Sequence, residues 1–300
     1  GPMAISADHR GSLLLEQAEL LDQQAFAGDQ FLMRLASPRV ASQAQPGQFV
    51  HLDTGEALRL RRPLSIMRVD RQRGWIELLY KQLGGGTAAL TRLGVGDQLS
   101  VLGPVGNGFV ANLDRPRPLL LGGGVGMPPM LFMADSLRSQ RHYQPVVLLA
   151  SEVPFPFRPQ PSTIMIDGMP DSTIATMGLL DDWGVPARLA SNQGFPGCFD
   201  GFITDLADEW LSNLNPTALA DVEILACGPE PMLRAVQALA KKHQLPSQLS
   251  LEEYMACAVG GCAGCVVAID QPDDAGQNQR AMKRVCVDGP VFAGDQVVFG

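Results

Sequence analysis

The stretch Met255-Ala-Cys-Ala-Val-Gly-Gly-Cys-Ala-Gly-Cys-Val-Val267 places Cys257, Cys262 and Cys265 within nine residues, out of six cysteines in a chain of 300. A disulfide framework, a zinc site, a reactive thiol and an iron-sulfur cluster are the chemistries such a loop can serve. The spacing is C-x4-C-x2-C, and Cys286 follows after a further 20 residues. This short loop with one distant cysteine is an arrangement in which four thiolates hold a [2Fe-2S] cluster. Gly260, Gly261 and Gly264 suit a loop folded around a cluster, because small residues let backbone N–H groups point at its sulfurs. Structural zinc is an alternative, although such sites usually pair two C-x2-C knuckles and Cys286 stands alone. Cys198, in Gln193-Gly-Phe-Pro-Gly-Cys198, reads as incidental.

A second group of residues has the pattern of a nucleotide site. Gly122-Gly-Gly-Val-Gly-Met-Pro-Pro-Met130 joins an apolar strand-like run to a helical one, so Gly122, Gly123, Gly124 and Gly126 let the backbone approach a pyrophosphate. The charge would be stabilised by free N–H groups of the following helix, whose first turn tolerates Pro128 and Pro129. A tight strand-to-helix turn without a ligand is the alternative. Cys227, Gly228 and Pro229, in Ala226-Cys-Gly-Pro-Glu-Pro-Met232, again follow a strand pattern and precede a helical one. Ligands of open α/β sheets lie outside the carboxyl ends of the strands, so two such loops can wall one site; Cys227 is then placed near a nicotinamide, with buried packing as its alternative. Glu152, two residues past the strand pattern Val146 to Ala150, is placed to accept hydrogen bonds from a ribose, which would favour NAD over NADP. As alternatives, it is a surface carboxylate, and the nearby Arg158 keeps NADP open.

Nearer the N-terminus, Arg61-Arg-Pro-Leu-Ser65 leads into a strand pattern. Arg62 can grip a phosphate bidentately and Ser65 can offer a hydroxyl to a ring nitrogen or carbonyl, although by themselves these are a short basic turn. Gly84-Gly-Gly-Thr87 is a further candidate phosphate cradle.

These residues need elements to position them, and the pattern changes twice along the chain. Between residues 12 and 113, Gln48–Leu52, Leu64–Val69, Trp75–Tyr80 and Gln98–Leu102 alternate as strands, with a turn at Asp70–Gly74 and one short helix from Thr87 to Leu93. Short strands with little helix predict an antiparallel barrel. Between 114 and 246, strands at Pro118–Gly122, Pro145–Ala150, Ser162–Ile166 and Val222–Ala226 alternate with helices at Pro128–Gln140, Phe202–Leu214 and Glu230–Lys242. That rhythm predicts a Rossmann-like parallel sheet. From 247 to 300 the expected strands are Leu249–Glu253, Val266–Ile269 and Gln296–Phe299, with a polar loop at Gln271–Gln279. The expected fold class is thus multi-domain β plus α/β: barrel, parallel α/β domain and a small cysteine module, after an N-terminal tail of 11 residues.

Composition narrows the partners. With 46% hydrophobic and 18% charged residues the chain can bury a sizeable core. A formal charge of -8 argues against nucleic acid, whose affinity rests on neutralised phosphates. Its apolar runs are strand-sized, short of the roughly 20 residues that span a bilayer. Gly1-Pro2 before Met3 resembles a cleavage scar, and no signal-peptide order follows, so a cytoplasmic location is expected, where clustered cysteines serve metals or redox chemistry. The four histidines are scattered, and neither G-x-S-x-G nor H-E-x-x-H occurs, which leaves hydrolysis without machinery.

In order, these stretches resemble the ferredoxin-NADP reductase superfamily. Arg62-Pro-Leu-Ser65, Leu79-Tyr-Lys81, Gly86-Thr87, Gly103-Pro-Val-Gly-Asn-Gly-Phe109, Gly122 to Met130, Cys227 to Met232, Met255 to Cys265 and Val285-Cys-Val-Asp-Gly-Pro-Val-Phe292 together resemble the electron-transfer subunits of NAD-dependent dihydroorotate dehydrogenases. The resemblance implies that Arg62, Pro63, Leu64, Ser65, Leu79, Tyr80, Lys81, Gly86 and Thr87 bind FAD, and that Cys257, Cys262, Cys265 and Cys286 bind a [2Fe-2S] cluster. It implies NAD as co-substrate, an FMN-containing dihydroorotate dehydrogenase catalytic subunit as partner, and a heterotetramer with two of each subunit. An oxygenase or a sulfide- or ferredoxin-linked dehydrogenase is the alternative partner. Leu64 stands where the superfamily often has Tyr, so stacking on the flavin is expected from elsewhere, with Tyr80 the candidate. The stretch Val153–Pro161 and the Cys265–Cys286 loop are long for the subfamily.

Overall fold

A computed structural model describes residues 13–55, 63–82, 85–252 and 266–300. The first region is a closed antiparallel barrel of β1 (Leu14–Phe26), β2 (Gln30–Ala36), β3 (Phe49–Asp53), β4 (Pro63–Asp70), β5 (Trp75–Lys81) and β6 (Gln98–Val105), in the order β1-β2-β5-β4-β3-β6. Period-two alternation turns Ala18, Leu20, Met33, Leu35, Ile76, Leu78 and Val101 into one core. The expected turn after β4 forms, with the Gly74 N–H donating to Asp70 O at 2.8 Å. Two short helices belong to this region, α1 (Pro38–Gln43) and α2 (Gly85–Thr91). Helix α1 is capped from a distance: Glu16 of β1 accepts from Ser37 Oγ at 2.5 Å and from the N–H groups of Arg39 and Val40 at 3.1 and 3.2 Å.

The second region contains β7 (Arg117–Gly123), α3 (Met127–Arg138), β8 (Val146–Ala150), β9 (Pro159–Pro161), β10 (Ala175–Met177), α4 (Gly178–Asp182), β11 (Ala187–Ser191), β12 (Phe199–Asp200), α5 (Ile203–Ser212), α6 (Pro216–Leu219), β13 (Val222–Cys227), α7 (Glu230–His243) and β14 (Ser247–Ser250). The remaining elements are β15 (Val266–Pro272), β16 (Asn278–Arg284), α8 (Val285–Asp288), β17 (Val291–Ala293) and β18 (Val297–Val298). The main sheet runs β12-β11-β8-β7-β13-β14-β17, parallel except for the last pair. The Leu119-Leu-Leu121 run is buried on both faces: Leu119 and Leu121 pack with α5 and α7, Leu120 with α3. Phe132 of α3 joins the barrel core, so this helix locks sheet to barrel.

The structure adds β1 and β2 to the four barrel strands expected from the sequence, and it departs from the sequence expectations beyond the barrel as well. Residues 162–166 are not a strand: the Ser162 hydroxyl and the Ile164 N–H bond locally, and Asp181 holds both Ser162 Oγ and the Thr163 N–H, at 2.7 and 2.8 Å. The parallel strand beside β8 is instead β11. Its second residue is Arg188, only 6% exposed, which interrupts the apolar pattern yet donates to the carbonyls of Thr173, Ala187 and Ile164 at 3.0, 2.7 and 2.6 Å. Finally, β15 runs on to Pro272 and pairs with β16 from Asn278, which shortens the expected polar loop to a turn in which Asp273 Oδ1 accepts from the Ala275 and Gln277 N–H groups. Strands β14 and β17 both follow residue 246, yet both belong to the main sheet. No helix among the described residues is long and apolar enough to cross a membrane.

Replacing Glu16 with Ala removes the buried acceptor of one hydroxyl and two N–H groups, so the Glu16→Ala variant is expected to lose about 1–3 kcal/mol of stability. Urea unfolding reads this as a lower midpoint at unchanged slope.

Candidate nucleotide and cluster site

From β7 the chain builds outward through β8, β11 and β12, then returns to place β13 on the other side of β7. The loops after β7 and β13 therefore leave their strands in opposite directions and open a crevice at the switch point of the sheet. Glycine brings them together. A Cβ on Gly126 would lie 2.2 Å from Cys227 O and 2.6 Å from Gly228 N, and a Cβ on Gly123 or Gly228 would meet Met232 Sδ at 2.5 Å. Gly122 pairs with Cys227 across the strands, and Pro229 caps α7. Gly124, at φ 57°, has nothing within 4 Å of its Cβ position, so the rim of this cradle is open. A tight 3-10 turn (Gly124–Gly126) delivers the chain into α3, whose first residue, Met127, gives its N–H to Gly124 O and is followed by Pro128 and Pro129, which have none, so the free helix N–H groups expected there are absent from its first three positions. Open backbone without Cβ atoms, at the positive end of a helix dipole, fits the diphosphate of a dinucleotide.

The flavin-type residues converge from the barrel. Because β4 and β5 are antiparallel, the start of β4 (Pro63, Leu64, Ser65) and the end of β5 (Leu79, Tyr80, Lys81) share one end of the barrel, and α2 with Gly86 and buried Thr87 follows β5. Leu79 packs in one apolar cluster with Met127 and Met130 of α3. Tyr80, one residue on, points the other way: its ring stacks on Phe31 at 5.3 Å and 16°, and its hydroxyl donates to Gln23 Oε1 at 2.9 Å. Burial pushes its phenol well above the ordinary range. At 2% exposure Tyr80 offers no ring face to a flavin, which corrects the stacking role expected for it. Lys81 is half-buried at the mouth, a cation suited to an anionic cofactor. Arg62 and Gly84 lie outside the described residues.

Barrel, sheet and cysteine module meet at Ser65, whose buried hydroxyl donates to Glu252 Oε2. Glu252 stands five positions before Cys257. Cys257, Cys262 and Cys265 lie outside the described residues; Cys286 is half-buried in α8, packed against the core of the main sheet. Its segment is clamped by the loop after β6. Asn107 donates from its N–H to Gly289 O at 2.7 Å and from Nδ2 to Asp288 O at 3.2 Å, and its carbonyl accepts from the Val291 N–H at 3.3 Å. A Cβ on Gly106 would lie 2.7 Å from Pro290 Cδ, and the Leu251 N–H donates to Pro290 O at 2.8 Å. The Gly103–Phe109 and Val285–Phe292 stretches are thus two halves of one joint. Four thiols as the donor set suit iron and sulfide.

Glu152 follows β8 and is exposed, with Oε1 accepting from Asn192 N and Nδ2 at 3.4 and 3.1 Å and Oε2 from Gln193 Nε2 at 3.3 Å. Asn192 and Gln193 escaped sequence reasoning because β11, which positions them, did. Arg158 makes no ion pair with Glu152 among the described residues.

Residues 17–109 match the family model of the oxidoreductase FAD-binding domain, and residues 252–298 that of the iron-sulfur cluster binding domain of dihydroorotate dehydrogenase B. The chain is 33% identical over 287 residues to the dihydroorotate dehydrogenase B (NAD(+)) electron transfer subunit of Geobacillus thermodenitrificans, covering 94% of this chain and 98% of the relative. To the subunit of the same name from Streptococcus mutans it is 34% identical over 289 residues, covering 95% and 99%. Among solved structures, an NADH-dependent reduced ferredoxin-NADP oxidoreductase superposes with a TM-score of 0.70 at 25% identity, covering 94% of this chain and 89% of that one. Phthalate dioxygenase reductase shares the fold at 17% identity and a TM-score of 0.54, covering 89% and 76%.

The glycine contacts predict an asymmetry. Gly126→Ala must displace backbone and is expected to cost about 1–3 kcal/mol as well as NADH affinity. Gly123→Ala meets only the end of the Met232 side chain, which can swing away, and should cost less. Thermal unfolding and NADH titration of both variants check the order.

Proposed function

The chain belongs to the family of dihydroorotate dehydrogenase B electron transfer subunits, and from that membership we propose how its residues pass electrons from dihydroorotate oxidation to NAD+ in pyrimidine biosynthesis. It is an oxidoreductase subunit with FAD and an iron-sulfur cluster as its cofactors. When bound, these supply the exchange between single electrons and the pair that NAD+ accepts. The observation that carries the residue assignment is the Ser65–Glu252 hydrogen bond, which ties the flavin end of the barrel to the entrance of the cysteine loop.

Arg62 and Lys81 supply the positive charge for the FAD diphosphate, Pro63, Leu64, Ser65 and Leu79 shape the wall beside it, and Gly86 and Thr87 close it at the start of α2. Tyr80 holds the barrel end from inside through Phe31 and Gln23. Cys257, Cys262, Cys265 and Cys286 are the cluster ligands, with Cys286 presented by the Asn107 clamp. Gly122, Gly123, Gly124 and Gly126 take the NAD diphosphate, while Cys227, Gly228 and Pro229 form the opposite wall of the crevice. Domains follow the same division: barrel for FAD, sheet for NAD, C-terminal module for the cluster. The chain's work is to bind, align and exclude water, for which no acid or base is required.

Family membership entails a catalytic partner subunit. We assign that partner an FMN, a two-plus-two heterotetramer and a cytoplasmic setting, with the glycine-rich cysteine loop at the interface. The 0.70 superposition on the ferredoxin-linked enzyme favours, as a second reading, the same relay serving another donor. Copurification separates the two: the first requires a flavoprotein that gives the pair NAD-dependent dihydroorotate oxidation, and a pair without that activity sinks it.

Cys262→Ser is expected to lower iron and acid-labile sulfide while FAD remains; unchanged iron would contradict the ligand assignment. Arg62→Ala is expected to release FAD on dilution by about tenfold or more, as befits a lost charge-assisted phosphate contact, read by flavin fluorescence in the filtrate.

A further inference from the structure

Glu152 is held in an unusual way for an exposed carboxylate. Both of its oxygens are engaged, and all the donors come from two neighbouring residues of another strand's loop: the Asn192 N–H at 3.4 Å, Asn192 Nδ2 at 3.1 Å and Gln193 Nε2 at 3.3 Å. The loop is itself anchored, since the Gln193 N–H donates to Ser191 Oγ at 3.1 Å and Ser191 is buried at the end of β11. On the other side the preceding residue, Ser151, ends β8 in a local turn, its hydroxyl donating to Val153 O at 2.6 Å and accepting from the Val153 N–H at 3.3 Å. Glu152 is therefore fixed from both flanks at the carboxyl ends of two adjacent parallel strands, on the side of the sheet reached from the glycine loop through β8.

The chemistry of the partners matters as much as the geometry. Amides orient a carboxylate without neutralising it, and among the described residues no Lys or Arg pairs with Glu152. Two oxygens offer about four acceptor sites, so lone pairs remain for the two hydroxyls of a ribose. The same charge opposes a 2′-phosphate, which carries nearly two negative charges, since among the described residues no Lys or Arg is paired with Glu152 to offset it.

We propose that Asn192 and Gln193 are positioning residues that hold Glu152 as a discriminator of the ribose 2′ position, so that the crevice accepts a dinucleotide with a free 2′-hydroxyl and rejects one carrying a 2′-phosphate. This rests on the reading of the crevice as the NAD site.

The test uses the full chain with its FAD and cluster loaded, titrated calorimetrically with ADP-ribose and with 2′-phospho-ADP-ribose. The wild type is expected to prefer ADP-ribose by about tenfold or more, the value of a hydrogen-bonded charge. Asn192→Ala combined with Gln193→Ala should narrow that preference at least about threefold at an unchanged melting temperature, because both side chains are exposed. Glu152→Gln should remove most of it. In turnover, the same variants should lower the KM for NADP+ relative to that for NAD+. A double variant with the wild-type ligand ratio overturns the proposal. A wild type that binds neither ligand overturns the dinucleotide reading itself.

Discussion

The Cα of Gly126 lies against the carbonyl of Cys227 with no room for a Cβ between them, and the arrangement of the molecule follows from that contact. It sets the spacing at the switch point, where β7 and β13 run side by side and their loops part. Each strand then carries a different part of the protein. Strand β7 leads into α3, whose Phe132 enters the barrel core and whose Met127 and Met130 meet Leu79. Strand β13 pairs with β14, which ends two residues before Glu252 and so delivers the carboxylate to Ser65. The crevice, the flavin end of the barrel and the entrance to the cysteine loop are located by one backbone approach that only glycine permits.

The cysteine module gains its place from two joints rather than from a core of its own. On the N-terminal side the Ser65 hydroxyl meets Glu252 in a buried setting, where a hydrogen bond to a charged group is stronger than in water. On the C-terminal side Asn107 fills three roles at once, donating from N–H and Nδ2 and accepting at its carbonyl, which locks the segment after Cys286 to the barrel exit. Both joints involve barrel residues, and both flank the ligand-bearing stretch. The barrel therefore positions the module that must exchange electrons with it, while the sheet holds it through edge strand β17, through a shared apolar core that takes in Val267, Ile269, Val285 and Val297, and through Gln237 of α7, whose Nε2 donates to Gly294 O and Val297 O.

How much of this was legible in the sequence divides along physical lines. Chemistry written as spacing was legible: four cysteines, two glycine loops and the buried Leu119-Leu-Leu121 run need no knowledge of the fold to be recognised. Elements whose pattern is broken by one functional side chain were not. Arg188 interrupts the apolar run of β11, although three carbonyls satisfy its guanidinium in the interior, and the polar β16 offers no apolar alternation, only Ala281 and Met282 side by side. Tyr80 was legible as important but not in its direction, because period two sends it into the barrel and Leu79 toward α3. Asn192 and Gln193 carried no local signal at all, since their partner lies 40 and 41 positions earlier on an adjacent strand.

The connection from β8 to β11 explains why the Glu152 end of the crevice and the flavin barrel share one frame. Parallel neighbours usually exchange through a helix that covers the sheet, but this crossover has only the short hairpin of β9 and β10 and the five-residue α4. The Pro-rich stretch from Val153 is used instead to reach the barrel. Gln30, buried at the start of β2, spans the gap with Nε2 donating to Ala27 O at 2.9 Å and to Pro154 O at 2.8 Å. Gly28 in the β1–β2 turn lies so close to Val153 that a Cβ there would be 3.0 Å from it. Phe155 anchors the rest, with Phe157 and Phe195 at 5.2 and 6.1 Å. A helix in this crossover would have left the strand ends attached to the sheet alone. The extended tether fastens the loop after Glu152 to the barrel as well. The resting fold thus holds the crevice and the flavin barrel in one frame, a preorganisation that suits a reaction whose demand on the protein is position.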